Sequence, residues 1–296
     1  MDSRLPTLKK PLQLLIISDG KPGHENQSLG LAEAMARHTP AEIHVIRIDP
    51  TDSFLQRIRK ALEESVTLPK PDYVISAGHR THFPLLRVTR TLKARSIVLM
   101  KPGVPASWFS ICIAPEHDFK KPPKSGNVIL SKGALNRVVP TSDPKSGKLL
   151  LLGGPSKTHG FDKQALITQI RSIASDGWQA ADSRRTPGSF LTDLQNEIPG
   201  LEIFPHQDTQ PGWLAGKLSA LEEVWVTEDS VSMIYEALTG GAKVGLLDMP
   251  RLRPNARVIR GLESLREAGY FLGGKIDTPP ILAEADRCAA IILSPP

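Results

Sequence analysis

A buried strand that runs into a glycine-containing turn near the start of the chain constrains the fold more than any other feature. Residues 12–17 form an unbroken, partly β-branched apolar run, which predicts a strand covered on both faces in a parallel sheet. A polar turn follows at 18–27, and helical apolar spacing begins at Leu29. This order of strand, turn and helix places backbone N–H groups and the positive end of a helix at the carboxyl edge of a sheet.

The turn at 18–27 has two interpretations. In the simpler one, Gly20 and Gly23 only close a tight corner between strand and helix, because glycine tolerates positive φ. The other rests on the density of reactive side chains, which predicts a binding or catalytic loop. These side chains are Asp19, Lys21, His24, Glu25, Asn26 and Gln27. The spacing differs from Gly-x-Gly-x-x-Gly, so neither a dinucleotide site nor a nicotinamide-dependent enzyme is predicted.

Composition limits the class of protein. A chain of 296 residues is long for a single core and favours two domains of about 140 residues each. The aromatic share of 5% argues against nucleic-acid binding on stacking platforms, and the net charge of +6 favours an anionic partner. Cys112 and Cys288 fit neither a disulfide framework nor a metal-binding spacing. With a charged start and no long apolar run, the chain is expected in the cytoplasm.

The remainder of the first half alternates strands with helices. Apolar runs and helical spacing predict strands at 43–48, 72–76, 96–100, 109–114 and 128–130 and helices at 54–64 and 83–92. Alternation of this kind indicates βαβ units and a parallel sheet. His117 and Asp118 follow the predicted strand at 109–114, where α/β proteins bind ligands, and a surface turn is the alternative.

The segment 83–93 combines apolar and basic residues in one predicted helix. Such a segment is typical of a surface that rests on an anionic membrane. The alternative is an ordinary helix with an apolar stripe against the core and a solvated basic face.

The order of elements repeats in the second half of the chain. A polar, proline-containing segment at 140–147 predicts a linker. A buried strand at 148–152 then ends at Gly153 and Gly154, and a helix follows near 163–174. We therefore predict domains at 1–143 and 148–278 with a cleft between their facing sheet edges, and a final helical segment at 279–296 that packs back on the first domain.

Two strand ends in the second half carry candidate ligand contacts. Adjacent Arg184 and Arg185 suit a diphosphate, because guanidinium groups bind phosphate oxygens in pairs, and a solvated basic turn is the alternative. Asp229 or Ser230 caps a predicted helix, on which Glu236 lies about 9 Å further along. A carboxylate at that position suits the hydroxyls of a ribose, and a surface glutamate is the commoner alternative.

Five motifs, in order along nearly the whole chain, resemble those of a known family. They are DGKPGHENQ at 19–27, PEHD at 115–118, GGPS at 153–156, SRRTP at 183–187 and TEDSVSM at 227–233. They are similar to the bacterial and plant family named after Elongated Mitochondria, a mitochondrial fission protein. The resemblance implies an α/β, GT-B-like fold, with two Rossmann-like, doubly wound parallel-sheet domains facing across a cleft, and glycosyltransferase activity. Part of the chain resembles, more distantly, the peptidoglycan lipid-linked N-acetylglucosaminyltransferase.

The resemblance implies roles for particular residues. His24 is the expected base for the acceptor hydroxyl, with His117 and Asp118 as the alternative. The expected acceptor-side loop consists of Asp19, Gly20, Lys21, Gly23, Glu25, Asn26 and Gln27. The expected donor site consists of Gly153, Gly154, Ser156, Arg184, Arg185, Thr186, Ser230, Ser232, Met233 and Glu236. In this site, the N–H groups of both glycines and both arginines are expected to bind the diphosphate. Ser230, Ser232 and Glu236 are expected to bind the nucleoside.

Partners and cofactors follow from the same resemblance. No Asp-x-Asp stands at a strand end, so we expect neither a metal nor another cofactor. Arginines and helix N-termini are expected to stabilise the charge of the leaving diphosphate instead. The expected partners are a nucleotide-sugar donor, a lipid-linked or cell-envelope acceptor and an anionic membrane contacted peripherally at its inner face, but no nucleic acid. The alternative function is a non-catalytic scaffold or binding protein that retains the fold, as the plant relative's link to fission machinery implies.

Overall fold

The computed structural model describes residues 10–119, 121, 123–210, 212–273 and 280–294. The chain divides into two units, of which unit 1 contains Met1–Arg137 and Glu284–Pro296, and unit 2 contains Val138–Ala283. Residues 274–279, at the boundary between the predicted second domain and the final segment, lie outside the described residues, as do 295 and 296. No helix in the described ranges is long and apolar enough to cross a bilayer.

Each unit is built from strands that alternate with helices. The elements of unit 1 are β1 (Leu12–Ser18), α1 (Pro22–His38), β2 (Ala41–Arg47), α2 (Phe54–Ser65), β3 (Tyr73–Ala77), α3 (His82–Leu92), β4 (Arg95–Leu99), β5 (Ile111–Pro115) and β6 (Val128–Ser131). Those of unit 2 are β7 (Lys148–Leu151), α4 (Lys163–Ile173), β8 (Gln179–Ala181), α5 (Phe190–Glu197), β9 (Glu202–Phe204), α6 (Trp213–Ala220), β10 (Glu223–Thr227), α7 (Val231–Gly240), β11 (Lys243–Leu247) and α8 (Arg257–Glu267). The last helix, α9 (Glu284–Leu293), belongs to unit 1.

Unit 1 has a parallel sheet in the order β2-β1-β3-β4-β5-β6. Alternate residues of β1 enter opposite cores, because side chains alternate across a strand. Leu14 and Ile16 pack in the core that α1 and α9 complete, whereas Leu15 and Ile17 pack in the core that includes residues of α2 and α3. An apolar run buried on both faces is what the sequence predicted for this strand.

Helix α9 is attached to α1. Cys288 is fully buried in the same core as Leu31 of α1. At the edge of that contact, Arg37 of α1 forms an ion pair with Asp286 of α9 at 2.8 Å. Burial raises the pKa of the Cys288 thiol to about 12, so this cysteine serves as a small apolar side chain rather than a nucleophile.

Unit 2 has a parallel sheet in the order β11-β10-β7-β8-β9. The predicted linker at 140–147 is tied to this unit by Lys145, whose Nζ donates to the carbonyls of Ser219 and Gly240, both at 2.6 Å. These carbonyls lie at the ends of α6 and α7, where an ammonium group also favours the helix dipole. Gly241, with φ of 76°, is the C-cap residue of α7, and glycine accepts this left-handed conformation without strain.

The predicted strands and helices are present, with differences of one to three residues at most ends. The largest difference concerns the first turn, because α1 already begins at Pro22. Gly23, His24, Glu25, Asn26 and Gln27 therefore lie on the helix and not in a loop. Proline at the first helical position explains the early start, since its fixed φ suits a helix and its missing N–H costs nothing there.

Candidate functional site

The carboxyl edge of the unit 1 sheet carries an aspartate and histidine pair. Asp19 follows β1 directly, and His24 lies in the first turn of α1. His24 Nδ1 is 3.0 and 3.1 Å from the two carboxylate oxygens of Asp19, which is buried. A carboxylate accepts hydrogen bonds only, so Nδ1 carries the proton and Nε2 is the ring nitrogen that can accept one. The pair therefore has the arrangement of an oriented general base.

Gly78, which follows β3, supports this pair. Its φ is +90°, which favours glycine, and a Cβ at this position would collide with the imidazole of His24. The backbone of Gly78 thus forms the surface on which the ring rests. The sequence signal was a glycine two residues after the predicted strand at 72–76.

The other residues of the predicted acceptor-side loop serve mainly the local fold. The Glu25 carboxylate accepts from Ser18 Oγ at 2.6 Å and from Arg47 Nη2 at 2.6 Å. The hydrogen bond from Arg47 lowers the pKa of Glu25, so this carboxylate stays ionised and joins β1, β2 and α1. Gly20 adopts φ of +74° in the turn and donates its N–H to Ser18 Oγ, and Gln27 Nε2 donates to Gly23 O within the helix. Lys21 is the N-cap residue of α1.

His117 and Asp118 lie elsewhere along the same edge. They form a short 3₁₀ turn after β5, and the Asp118 carbonyl accepts from Lys101 Nζ at 3.2 Å. Two strands, β3 and β4, separate β5 from β1. At about 4.8 Å between neighbouring strands, the two strand ends are about 14 Å apart. The structure therefore does not bring this pair together with Asp19 and His24.

In unit 2, the loops after β7, β8 and β10 line one cavity of about 630 Å³. This cavity brings together six of the predicted donor-site residues, which are Ser156, Arg184, Arg185, Ser230, Ser232 and Met233. It is also lined by residues outside the predicted donor site, namely Lys157, Thr158, Ser183, Asp229, Val231 and Val258. Because residues 229–233 include the start of α7, the N–H groups at this helix end lie at the cavity and favour an anion.

The glycine N–H groups that we expected to bind a diphosphate have protein partners. Gly153 N–H donates to Thr227 Oγ1 at 2.7 Å, and Gly154 N–H donates to Asp229 Oδ2 at 3.1 Å. A Cβ at Gly153 would collide with Ser230 and Asp229, and one at Gly154 with the backbone of Arg185. In this structure the two glycines therefore allow three loops to pack closely, and their N–H groups do not face an anion.

The adjacent arginines differ in their surroundings. Arg185 Nη2 lies 2.7 Å from Asp229 Oδ2, and its Nη1 donates to the carbonyl of Gly154 at 3.2 Å. Thr186 also holds the loop, since its Oγ1 donates to the end of β7 at the Leu152 and Gly153 carbonyls. Arg184 is exposed and lines the cavity, and within the described ranges it has no hydrogen bond or ion pair. Arg184 is thus the arginine available to a ligand.

Ser230 and Glu236 lie on α7 as predicted, with Ser230 as N-cap residue. The Ser230 hydroxyl donates to Asp229 Oδ2 at 3.1 Å rather than capping the helix. Ser232 is exposed at the cavity. Glu236 is half-buried in the second turn and is not among the residues that line the cavity, so the structure places it near but not within this space.

The model of the mitochondrial fission ELM1 family matches residues 22–295. The chain belongs to this family. A search of the curated proteins gave no match.

Solved structures with the same fold as this ELM1-family chain come from several enzymes, all about equally distant. MurG from Acinetobacter baumannii is 13% identical, with a TM-score of 0.51 over 96% of this chain and 91% of its own. UDP-GlcNAc 2-epimerase from Neisseria meningitidis, bound to UDP-GlcNAc, is 13% identical, with a TM-score of 0.57 over 95% and 99%. The glycosyltransferase SnogD from Streptomyces nogalater is 13% identical, with a TM-score of 0.54 over 96% and 94%. The likeness shows the expected GT-B-like fold of two parallel-sheet α/β domains.

The ELM1-family motif at 227–233 also contains a buried glutamate, Glu228, which is not among the predicted site residues. Glu228 accepts from Arg251 Nε at 2.9 Å and Nη2 at 2.6 Å, and from Arg266 Nη2 at 3.2 Å. These hydrogen bonds raise the pKa of Arg251, which also pairs with Glu263 at 2.7 Å. The network holds the end of β10 against the segment after β11 and against α8. An acidic pair at a strand end, Glu228 and Asp229, was the available signal, because buried carboxylates need cationic partners.

Within the described ranges, no three His, Cys, Asp or Glu side chains come together as a metal site requires.

Proposed function

We propose that this ELM1-family chain transfers a sugar from a nucleotide-diphosphate sugar to a hydroxyl acceptor. The observation that carries the proposal is the unit 2 cavity, where the start of α7 and the unpaired guanidinium of Arg184 face the same space. A helix N-terminus and a guanidinium group together form a typical diphosphate site. The Neisseria epimerase, which has the same fold, is bound to UDP-GlcNAc.

The donor is held by unit 2. The departing diphosphate binds at the α7 N-terminus, where Arg184 and Lys157 balance its charge and the hydroxyl of Ser232 donates to its oxygens. Ser230 lines the same space, but its hydroxyl already donates to Asp229. Glu236, further along the helix, accepts from the ribose hydroxyls. Arg185 takes no direct part, because Asp229 already holds its guanidinium.

The base is His24 of unit 1. As the acceptor oxygen forms its bond to the anomeric carbon, the bond from that carbon to the diphosphate oxygen breaks, and the acceptor proton passes to His24 Nε2. The buried Asp19 carboxylate accepts from Nδ1 and stabilises the imidazolium that forms. The negative charge leaves with the diphosphate.

The acceptor that we propose is lipid-linked or part of a cell-envelope glycan, reached from the cytoplasmic side of a membrane. This part of the proposal rests on the more distant resemblance to the lipid-linked N-acetylglucosaminyltransferase. The second candidate function is a non-catalytic binding protein, which the family's description as mitochondrial fission proteins favours.

A thermal-shift screen against nucleoside diphosphates and nucleotide sugars tests the proposal. A ligand at 100 times its Kd stabilises a folded protein by about 2.7 kcal/mol, which raises Tm measurably. We expect one nucleoside diphosphate to give such a shift. If no nucleotide at millimolar concentration changes the Tm, the proposed donor site is wrong. Binding without release of nucleoside diphosphate in the presence of acceptors would favour the non-catalytic alternative.

Replacing Arg184 by glutamine is expected to weaken nucleoside diphosphate binding about 10- to 100-fold, since a charge-assisted hydrogen bond is lost. The Tm without ligand should stay at the wild-type value, because Arg184 holds nothing in the described structure. Arg171→Gln is the matched control, since Arg171 is an exposed arginine of unit 2 that pairs with Glu197. Calorimetric titration measures both variants, and equal affinities would exclude Arg184 from the site.

Replacing Glu236 by alanine is expected to weaken nucleoside diphosphate binding about tenfold, as the loss of a charge-assisted hydrogen bond predicts, without changing pyrophosphate binding. Pyrophosphate lacks the ribose that Glu236 would contact. Calorimetry with the two ligands separates this role from a general loss of charge balance. If both affinities change by the same factor, Glu236 does not contact the ribose.

Sugar transfer is expected to proceed in excess chelator. Arg184, Lys157 and the α7 N-terminus would supply the charge stabilisation that a divalent cation gives in other transferases. The measurement is nucleoside diphosphate release with and without EDTA. Complete loss of activity that manganese restores would contradict this mechanism.

A further inference from the structure

Unit 1 carries an apolar groove that takes no part in the proposed transfer reaction. The groove has a volume of about 480 Å³ and is lined by Phe54, Ile58, Phe83, Leu86, Arg87, Arg90 and Trp108. Four of these residues form a continuous stripe on α3 with spacing i, i+3, i+4 and i+7. The groove is thus a defined surface formed by α2, α3 and the short turn that contains Trp108.

The aromatic side chains of the groove are unusually exposed. Phe54 is 48% exposed, Phe83 40% and Trp108 50%, and the adjacent Leu55 is 73% exposed. Phe54 and Phe83 contact each other edge to face, with ring centroids 5.1 Å apart. Single exposed apolar residues are common, but a contiguous aromatic group indicates a surface that binds something.

The charged residues of the groove indicate that its partner is anionic. Arg87 and Arg90 lie on the same stripe of α3 as Phe83, and none of the described residues that line the groove is acidic. Aromatic rings beside arginines are the combination found where proteins rest on anionic bilayers, with the rings at headgroup level and the guanidinium groups on lipid phosphates.

The groove also has a defined position in the unit. Phe54 and Phe83 stand at the N-terminal ends of α2 and α3. A helix that follows a parallel strand begins at the carboxyl edge of the sheet, which is the edge that carries Asp19 and His24. The aromatic end of the groove therefore lies toward the same edge of unit 1 as the proposed base.

We propose that this groove docks unit 1 on the surface of an anionic phospholipid bilayer, with Phe54, Phe83 and Trp108 inserted among the headgroups. The proposal does not depend on sugar transfer, because the docking involves neither the unit 2 cavity nor the Asp19 and His24 pair.

Vesicle co-sedimentation at low salt, without nucleotide, tests the docking of the full chain. We expect binding to phosphatidylcholine vesicles that contain phosphatidylglycerol and none to vesicles of phosphatidylcholine alone. Arg87→Gln with Arg90→Gln should weaken binding about 25-fold, since each basic residue near such a surface contributes about a fivefold factor. Phe83→Ser with Trp108→Ser should weaken it more than about tenfold, because the inserted apolar area is lost.

Two exposed residues of unit 1 outside the groove provide matched controls. Arg59→Gln changes a charge on α2 that pairs with Glu63, and Ile291→Ser removes an apolar side chain on α9 that is 46% exposed. Both should bind vesicles within about twofold of the wild type, and all variants should keep its Tm because the replaced side chains lie at the surface.

Three results would overturn the proposal. The first is the absence of binding to anionic vesicles by the wild type, and the second is an equal loss in groove and control variants. The third is a concentration-dependent dimer in sedimentation equilibrium without lipid that only the groove variants abolish, which would assign the groove to a second copy of the chain.

Discussion

His24→Ala is expected to lower kcat for sugar transfer about 100- to 10,000-fold while donor affinity stays within about twofold of the wild type. The imidazole is the proposed proton acceptor, and its Nδ1 lies 3.0 and 3.1 Å from the two carboxylate oxygens of Asp19. The measurement is steady-state release of nucleoside diphosphate together with calorimetric titration of the donor. The split between turnover and affinity is the diagnostic result, because a merely structural role would change both.

Gly23→Ala is the matched control for His24→Ala. Gly23 lies in the same turn of α1, and a Cβ there meets no atom within 4 Å. It should keep wild-type kcat. A third variant, Asp19→Asn, should keep His24 in place but lose the negative charge that stabilises the imidazolium, and its kcat should fall between the other two. Unchanged turnover in His24→Ala would remove this histidine from the mechanism.

Glu228→Gln is expected to lower the free energy of unfolding of unit 2 by about 3 kcal/mol. The substitution leaves Arg251 and Arg266 without the buried carboxylate to which both donate. We expect the lower end of the range for broken buried pairs, since both arginines keep some contact with water. Urea denaturation followed by fluorescence measures the change.

Glu222→Gln is the control for this stability effect. Glu222 pairs with Lys243 at 3.4 Å, and both side chains are about half exposed. Exposed pairs contribute less than about 1 kcal/mol, so the midpoint of denaturation should barely move. Equal destabilisation by the two substitutions would show that burial of Glu228 is not what makes its network important.

Several structural features could be read from local sequence. The apolar run at 12–17 predicted a strand covered on both faces, and the helical stripe from Leu29 predicted α1. Both are confirmed because burial on a sheet and on a helix each leaves its own period in the chain. The helix boundary was wrong by several residues, since the polar first turn of α1 carries no apolar period, and the signal was Pro22 alone.

For the unit 2 cavity, the sequence predicted several of the lining residues but not the contacts that they make. The motifs at 153–156, 183–187 and 227–233 do meet at one cavity, as parallel strands require of their carboxyl ends. The contacts of the two glycines differ from the expectation, because the N–H groups of Gly153 and Gly154 donate to the side chains of Thr227 and Asp229. The roles of Glu236, and of His117 and Asp118, stay predictions.

The sequence by itself determined the alternation of strands and helices, the parallel sheets, the membership of the chain in its family and the polar residues that stand at the strand ends. These properties depend on periods and motifs within short stretches. Only the tertiary structure decided that Arg185 is held by Asp229 while Arg184 lines the cavity, and that Glu228 pairs with Arg251, 23 residues further along. The physical reason is that an ion pair depends on the distance between two side chains in space. The loops that meet at a sheet edge follow strands that are far apart in the chain, so local sequence does not show which side chains will be close.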